Sequence, residues 1–200
     1  MMHSGEQKLT TKEIIYEAAL SILKNGSLNM TVKDICAEAK VTRPTFYRYF
    51  KDVEDLTNSM SEAVLNELKE SLIIKEKTPL KEMKYNELPI NIVNLFKHIE
   101  DNKVFYETFL ETVRNQYFTN QLLYILEEYI KRGIDYAASK DDVLVPEGLL
   151  VSYSTGAYFN SIVWWIKNDY PYTPEEMTAT LLRLSVKGPY KDGIASFIKD

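Results

Sequence analysis

The sequence predicts an all-α protein that begins with a compact three-helix, helix-turn-helix unit. Three observations support this fold class. The 200 residues include only 7 Gly and 7 Pro, which are the residues that most often interrupt helices. Apolar residues recur at three- and four-residue spacing, whereas the alternation typical of strands is scarce. Hydroxyl side chains suited to N-caps stand before several of these apolar stripes.

The first predicted helix begins at Thr10, because Thr10 and Glu13 have the spacing of a capping box. Its apolar stripe runs from Ile14 to Leu23, and Asn25-Gly26 ends it, since both residue types tolerate a left-handed conformation. The second predicted helix begins at Thr31 and is short, so it must pack on its neighbours to be stable.

The third predicted helix follows the N-cap Thr42, and Pro44 fits its first turn. Phe46 and Phe50 are four residues apart and share one face, which leaves Arg43 and Arg48 largely on the other. Two short helices joined by a tight turn at residues 40–42 form a helix-turn-helix motif at about 31–50. A charged, proline-containing seam at 75–88 then predicts domains of 8–70 and 71–200.

The formal net charge of −5 argues against nucleic acid binding when it is taken over the whole chain. Residues 31–51, however, include five basic and two acidic residues, which gives this segment a net charge of +3. The remainder of the chain therefore carries a net charge of −8. Phosphate contacts need only such a local basic patch.

Several classes of protein are not expected. The single cysteine cannot form an internal disulfide, which favours a reducing, cytoplasmic setting. Neither a signal peptide nor an apolar run long enough for a membrane span is recognisable. The chain also lacks a phosphate-binding glycine loop, a nucleophile elbow and metal-ligand spacing, so we expect no enzyme, no cofactor and no metal.

The residues 30–50, MTVKDICAEAKVTRPTFYRYF, resemble the signature of TetR-type transcriptional regulators, as does the following Glu54-Asp55-Leu56. The resemblance covers about residues 10–68. It implies a three-helix DNA-binding domain, followed by a divergent all-helical domain that binds a ligand and dimerises. Residues 95–106 resemble a subgroup that includes regulators of dihydroxyacetone-kinase operons. Val53 departs from the family pattern, because a phosphate-contacting lysine is usual there; Lys51 or the next helix N-terminus could take over part of that role.

The resemblance and the motif together predict a DNA-binding set around the third helix. Arg43 is the candidate for reading guanine, with a phosphate contact or a solvated surface position as the alternatives. Pro44 and Thr45 could contact a thymine methyl group, or Thr45 a phosphate, and Tyr47 is a candidate phosphate contact that could instead pack. The whole predicted set is Thr31, Lys33, Thr42, Arg43, Pro44, Thr45, Tyr47, Arg48, Tyr49 and Lys51.

The C-terminal half is rich in aromatic residues, and ordinary core packing accounts for most of them. A few could line an effector pocket, for which we select Phe105, Phe109, Tyr124 and Tyr158. Two late helices, at about 146–168 and 174–186, are expected to form the dimer surface, although packing within one chain is the alternative. The residues expected there are Gly156, Ala157, Ser161, Trp164 and Trp165.

These observations predict a homodimeric regulator that binds a palindromic operator in double-stranded DNA and responds to a small-molecule effector. Repression is the commoner outcome implied by the resemblance. The alternative is a helix-turn-helix co-regulator that acts through a protein partner, which the acidic chain and Val53 favour mildly.

Overall fold

The computed structural model describes residues 9–27, 29–73, 87–137, 143–186 and 188–189, and it contains no strand among them. The predicted all-α fold is confirmed. The helices are α1 (Thr11–Lys24), α2 (Val32–Glu38), α3 (Arg43–Tyr49), α4 (Val53–Ser71), α5 (Ile90–Asp101), α6 (Lys103–Tyr106), a π-helix (Glu107–Thr112), α7 (Gln116–Ala137), α8 (Glu147–Lys167) and α9 (Pro174–Val186).

The chain divides into two compact units. The first contains the described residues up to Val64 together with Val104–Thr119, and the second contains Leu65–Lys103 and the described residues from Asn120 onward. Most of the seam expected at 75–88 lies outside the described residues, so the division into 8–70 and 71–200 stays a prediction.

The core of the first unit is formed by the inward faces of α1 to α4. The side chains of Ile15, Ile35, Phe46 and Leu56 are fully buried, and each such burial stabilises the fold by about 1.5–3 kcal/mol. Cys36 belongs to the same buried face of α2. The seven-residue helices α2 and α3 therefore depend on tertiary packing, as their length predicts.

The π-helix adds an aromatic cluster to the first unit and packs against α1. The rings of Phe105 and Phe109 stack with centroids 4.0 Å apart, and Phe118 lies edge-on to Phe105 at 5.3 Å. Arg114, with φ of +48°, adopts a left-handed conformation just beyond the π-helix and turns the chain toward α7.

The second unit is centred on Trp165, whose side chain has no exposed surface. Its indole Nε1–H donates to the carbonyl of Tyr172 at 2.8 Å, and its ring meets Phe96 of α5 edge-on at 5.3 Å. The expectation that Trp165 lies on the dimer surface is wrong, because its side chain is already enclosed by its own chain. Trp164, by contrast, is exposed.

Candidate DNA-binding site

The turn between α2 and α3 is formed by a left-handed residue, Lys40, with φ of +53°. The N–H of Lys40 donates to the carbonyl of Ala37, and the N–H of Val41 donates to the carbonyl of Cys36 at 3.0 Å. This pair of bonds is a Schellman motif, which closes α2 and reverses the chain direction within two residues. The turn thereby sets where α3 begins.

Hydroxyl groups organise the first turn of α3. The Thr42 hydroxyl caps the helix by accepting from the N–H of Thr45, and the two threonine hydroxyls are themselves hydrogen-bonded at 2.8 Å. Pro44 occupies the first turn without loss, since its missing N–H would have no partner there. Thr42 therefore fixes the side chain of Thr45, which is half-buried.

The two faces of α3 differ sharply. Phe46 and the C-cap residue Phe50 are buried, with ring centroids 5.6 Å apart, and they anchor the helix to the core. Arg43 and Arg48 are exposed, and Tyr47 keeps 56% of its surface accessible although its ring contacts Phe46 edge-on. The outward face thus presents cationic and hydrogen-bonding groups on a rigidly packed helix.

The N-terminus of α2 is closed by a capping box. The Asp34 carboxylate accepts from both the N–H and the hydroxyl of Thr31, at 3.0 and 2.6 Å, and these bonds lower the pKa of Asp34. The hydroxyl proton of Thr31 is therefore already engaged. Lys33, in the same first turn, is exposed.

The α4 N-terminus carries negative charge. Asp52 accepts from the N–H of Asp55 at 2.8 Å, and the Asp55 carboxylate accepts from the N–H of Lys51 at 2.9 Å. Carboxylates here disfavour a phosphate, so the exposed Lys51 side chain is the better substitute for the lysine replaced by Val53. Of the two substitutes that the sequence left open, Lys51 and the helix N-terminus, the carboxylates thus favour Lys51.

The basic side chains of residues 31–51 are all exposed: Lys33, Lys40, Arg43, Arg48 and Lys51. Arg43 also lies near Cys36, where its charge offsets part of the increase that burial causes in the pKa of the thiol. The structure thus brings the predicted DNA-binding residues together on one helix-turn-helix, with a local excess of positive charge.

Comparison with known protein families decides the identity of the chain. Residues 14–60 match the model of the bacterial regulatory proteins of the tetR family, and residues 86–187, half of the chain, match a TetR model described as a transcriptional regulator C-terminal region. The chain belongs to the TetR family. It is therefore a DNA-binding transcriptional regulator of the helix-turn-helix type.

Solved structures of TetR regulators share the fold. A TetR regulator from Streptococcus agalactiae 2603V is 24% identical, with a TM-score of 0.66, over 87% of this chain and 92% of that one. FadR from Bacillus subtilis, solved with stearoyl-CoA, is 20% identical with a TM-score of 0.63, over 89% and 99% of the two chains. The dihydroxyacetone kinase operon activator DhaS is 21% identical with a TM-score of 0.59, over 88% and 94%.

A search of curated protein sequences finds no match. At these identities, the structural similarities establish the fold of this chain. They do not transfer the ligand of any neighbour to it. DhaS is one neighbour among several, which gives the subgroup resemblance only weak support.

The predicted effector residues of this TetR regulator belong to two different units, so their common pocket stays a prediction. Phe105 and Phe109 are buried in the aromatic cluster of the first unit, whereas Tyr124 and Tyr158 belong to the second. Tyr124 is exposed, and Tyr158 is half-buried. The second unit also contains a hydrogen bond that the sequence did not suggest: the Asn91 amide donates to the hydroxyl of Tyr129 at 2.6 Å. The two residues are 38 positions apart, so no local sequence pattern could have paired them.

The predicted dimer residues lie on α8 with different exposures. Ala157 and Trp164 are exposed, while Gly156 and Ser161 are half-buried.

Across the described ranges, no helix of this TetR regulator is long and apolar enough to cross a membrane. Within the same ranges, no three acidic, histidine or cysteine side chains are grouped as metal ligands.

Proposed function

We propose that this TetR-family protein is a homodimeric, sequence-specific repressor whose affinity for a palindromic operator is controlled by a small-molecule effector. The observation that carries the proposal is the outward face of α3, where Arg43, Tyr47 and Arg48 are exposed above a fully buried Phe46. Two such helices related by a two-fold axis suit half-sites one helical turn, about 34–36 Å, apart in successive major grooves.

The remaining members of the DNA-binding set have supporting roles in this proposal. Lys33, Arg48 and Lys51 neutralise phosphates, and the exposed Tyr47 and Tyr49 donate hydroxyl groups to the backbone. Arg43 and the first turn of α3 reach the base edges. Backbone contacts fix the register of the helix, and base contacts supply the sequence preference.

The homodimer is supported by the exposed face of α8. Leu149, Tyr153, Ala157 and Trp164 follow one another at helical spacing, and Tyr153 leaves 75% of its surface accessible. The opposite face of α8, with Val151, Ile162 and Ile166, is buried in its own chain. A helix that is apolar on both faces is stable in water when a second partner covers it.

The proposal is tested by selecting an operator from random duplexes and measuring its affinity across a salt series. Each lost phosphate contact should reduce the magnitude of the salt slope by about 1, so Arg48→Ala should be shallower than wild type. Lys131→Ala, which removes an exposed charge from α7, is the matched control. Failure to select any sequence would contradict direct operator recognition.

A co-regulator that acts through a protein partner is the second candidate. The carboxylates at the α4 N-terminus and the apolar Val53 favour it, because both weaken phosphate binding at a point where the family usually has a lysine. Salt-insensitive, weak DNA binding by the pure protein would support this candidate over the first.

A further inference from the structure

Lys12, in the first turn of α1, is a cation that the predicted DNA-binding set does not include. Its Nζ lies 5.4 Å from the ring centroid of Tyr16 and 6.0 Å from that of Phe50. The two rings are themselves in contact, with centroids 5.8 Å apart. Because Phe50 is the C-cap of α3 and is buried, the ammonium group is held beside the C-terminal end of α3, although it belongs to another helix.

The positive charge of Lys12 is available to a partner outside the protein. The side chain is exposed, and no carboxylate among the described residues forms an ion pair with it. The neighbouring Glu13 carboxylate accepts instead from the N–H of Thr10 at 2.7 Å. A positive charge in the first turn of a helix also opposes the helix dipole, so the stability of α1 does not explain a lysine at this position.

The turn from α3 to α4 has an excess of negative charge. Residues 51–55 contain one lysine and three carboxylates, which gives a net charge of −2, and Val53 adds none. Such a segment repels a phosphate, and Lys51 alone does not offset the carboxylates. Lys12 brings a second positive charge from α1 to the side of this turn.

The position of Lys12 suits a phosphate contact better than a base contact. Arg43, in the first turn of α3, and Phe50, at its other end, are separated by about 10 Å along the helix axis. When the N-terminal residues of such a helix read base edges, its C-terminal end lies near the DNA backbone. The exposed Tyr49 and Lys51, which we propose as backbone contacts, flank Phe50 in the sequence. Lys12 therefore joins groups at the backbone end of α3.

We propose that Lys12 binds a DNA phosphate beside the C-terminal end of α3, and that Tyr16 and Phe50 position its ammonium group for this contact. The inference rests on the direct DNA binding proposed above and is independent of effector control. The aromatic rings hold the cation without neutralising it, because a ring attracts a cation through its quadrupole and has no net charge. Lys12 and Lys51 thus supply two positive charges that offset the carboxylates at the α4 N-terminus.

The experiment measures the binding of full-length Lys12→Gln, across a salt series, to the selected operator and to a random-sequence duplex of equal length. Loss of one phosphate contact should reduce the magnitude of the salt slope by about 1 on both duplexes. The ratio of wild-type to variant affinity should therefore fall about three- to fourfold from about 50 to about 200 mM salt. Lys24→Gln, at an exposed lysine in the last turn of α1, is the matched control and should leave the slope unchanged.

A double-mutant cycle tests the positioning role of Tyr16. Tyr16→Phe keeps the ring and removes a buried hydroxyl that has no hydrogen-bond partner among the described residues, so it should bind DNA like wild type. Tyr16→Leu removes the ring, so Lys12→Gln should reduce affinity much less in this background than in wild type. Lys12→Gln alone should keep the wild-type Tm, because the lost contact with the rings is offset by relief of the unfavourable charge at the α1 N-terminus.

The outcomes separate this inference from the proposed function. An unchanged salt slope in Lys12→Gln would overturn the phosphate contact, and equal effects of Lys12→Gln in the Tyr16 and Leu backgrounds would overturn positioning by the ring. Because phosphate contacts do not depend on sequence, the random-sequence duplex tests Lys12 even if no operator is selected. Tight operator binding together with an unchanged slope would leave the repressor proposal intact, whereas absence of binding to either duplex would overturn both proposals.

Discussion

Arg43 is the residue on which operator specificity is expected to depend most. Its side chain is exposed at the first turn of α3, where a guanidinium can pair with both guanine acceptors in the major groove. We predict that Arg43→Ala lowers discrimination between the selected operator and a single-base variant by about 1–3 kcal/mol. Competition binding with duplexes changed one pair at a time measures this.

Arg43→Lys provides the control, because it keeps the charge and loses the bidentate geometry. It should retain non-specific affinity while losing most of the discrimination at one position. Uniform weakening of all duplexes by both variants would instead show that Arg43 contacts only phosphate.

Thr42 contributes to the stability of the protein through α3, the helix that it caps. It accepts from the N–H of Thr45 and pairs with the Thr45 hydroxyl at 2.8 Å. Thr42→Ala should lower the free energy of unfolding by about 1 kcal/mol, whereas Thr42→Ser, which keeps the hydroxyl, should lose much less. Urea unfolding of the free protein checks this, and equal losses in both variants would refute the capping role.

Asp34 makes the stability of α2 depend on pH. Its hydrogen bonds from Thr31 lower its pKa in the folded state, so its contribution is present above the unfolded value, about 3.9, and is lost as the pH falls through the folded pKa. Asp34→Asn should therefore be less stable than wild type at pH 6, and the difference should shrink toward pH 3. Urea unfolding at both values tests the trend; a constant difference would contradict it.

At the scale of the elements, the turn before α3 carries a conformational cost. Lys40 is a left-handed residue with a side chain, which costs roughly 1–2 kcal/mol relative to glycine and is partly offset by the greater flexibility of unfolded glycine. Lys40→Gly should therefore raise the free energy of unfolding by about 1 kcal/mol. Lys40→Ala removes the same charge and keeps the strain, so it should not stabilise the protein.

The helices of the DNA-binding motif were predictable because their signals are local. Thr10, Thr31 and Thr42 were expected as N-caps and serve as N-caps in the structure, and Phe46 was expected in the core and is buried there. The π-helix could not be predicted, because its 6 residues are too few to reveal an apolar spacing distinct from that of an α-helix.

The C-terminal elements were less predictable, since their contacts join residues far apart in the chain. Trp164 and Trp165 are adjacent in sequence, and only tertiary contacts, such as those of Trp165 with Phe96 and the Tyr172 carbonyl, determine which of them is buried. The bond between Asn91 and Tyr129 likewise spans 38 residues. Tyr158 was selected as an effector residue from its residue type alone, and the sequence could not show that it lies near Tyr129.

For the whole molecule, the exposed face of α8 predicts that assembly and operator binding are linked. Leu149→Glu combined with Tyr153→Glu places charges on that face and should shift the protein to monomers, with loss of tight operator binding. Sedimentation equilibrium measures the assembly.

The control for this variant is Glu127→Lys, a charge reversal at an exposed position of α7. It should leave both assembly and operator affinity unchanged. A double glutamate variant that stays dimeric, with normal operator affinity, would exclude this face of α8 as the dimer surface.

Cys36 gives this protein a practical advantage for spectroscopy. It is the single cysteine of the chain, it is buried, and its thiol has a raised pKa, so it reacts slowly with labelling reagents. A cysteine introduced at the exposed Lys24, beside the helix-turn-helix, would thus take up a spin label selectively. In a dimer, pulsed electron paramagnetic resonance would then return one label-to-label distance, and its change on adding ligand or DNA would follow the separation of the two DNA-binding motifs directly.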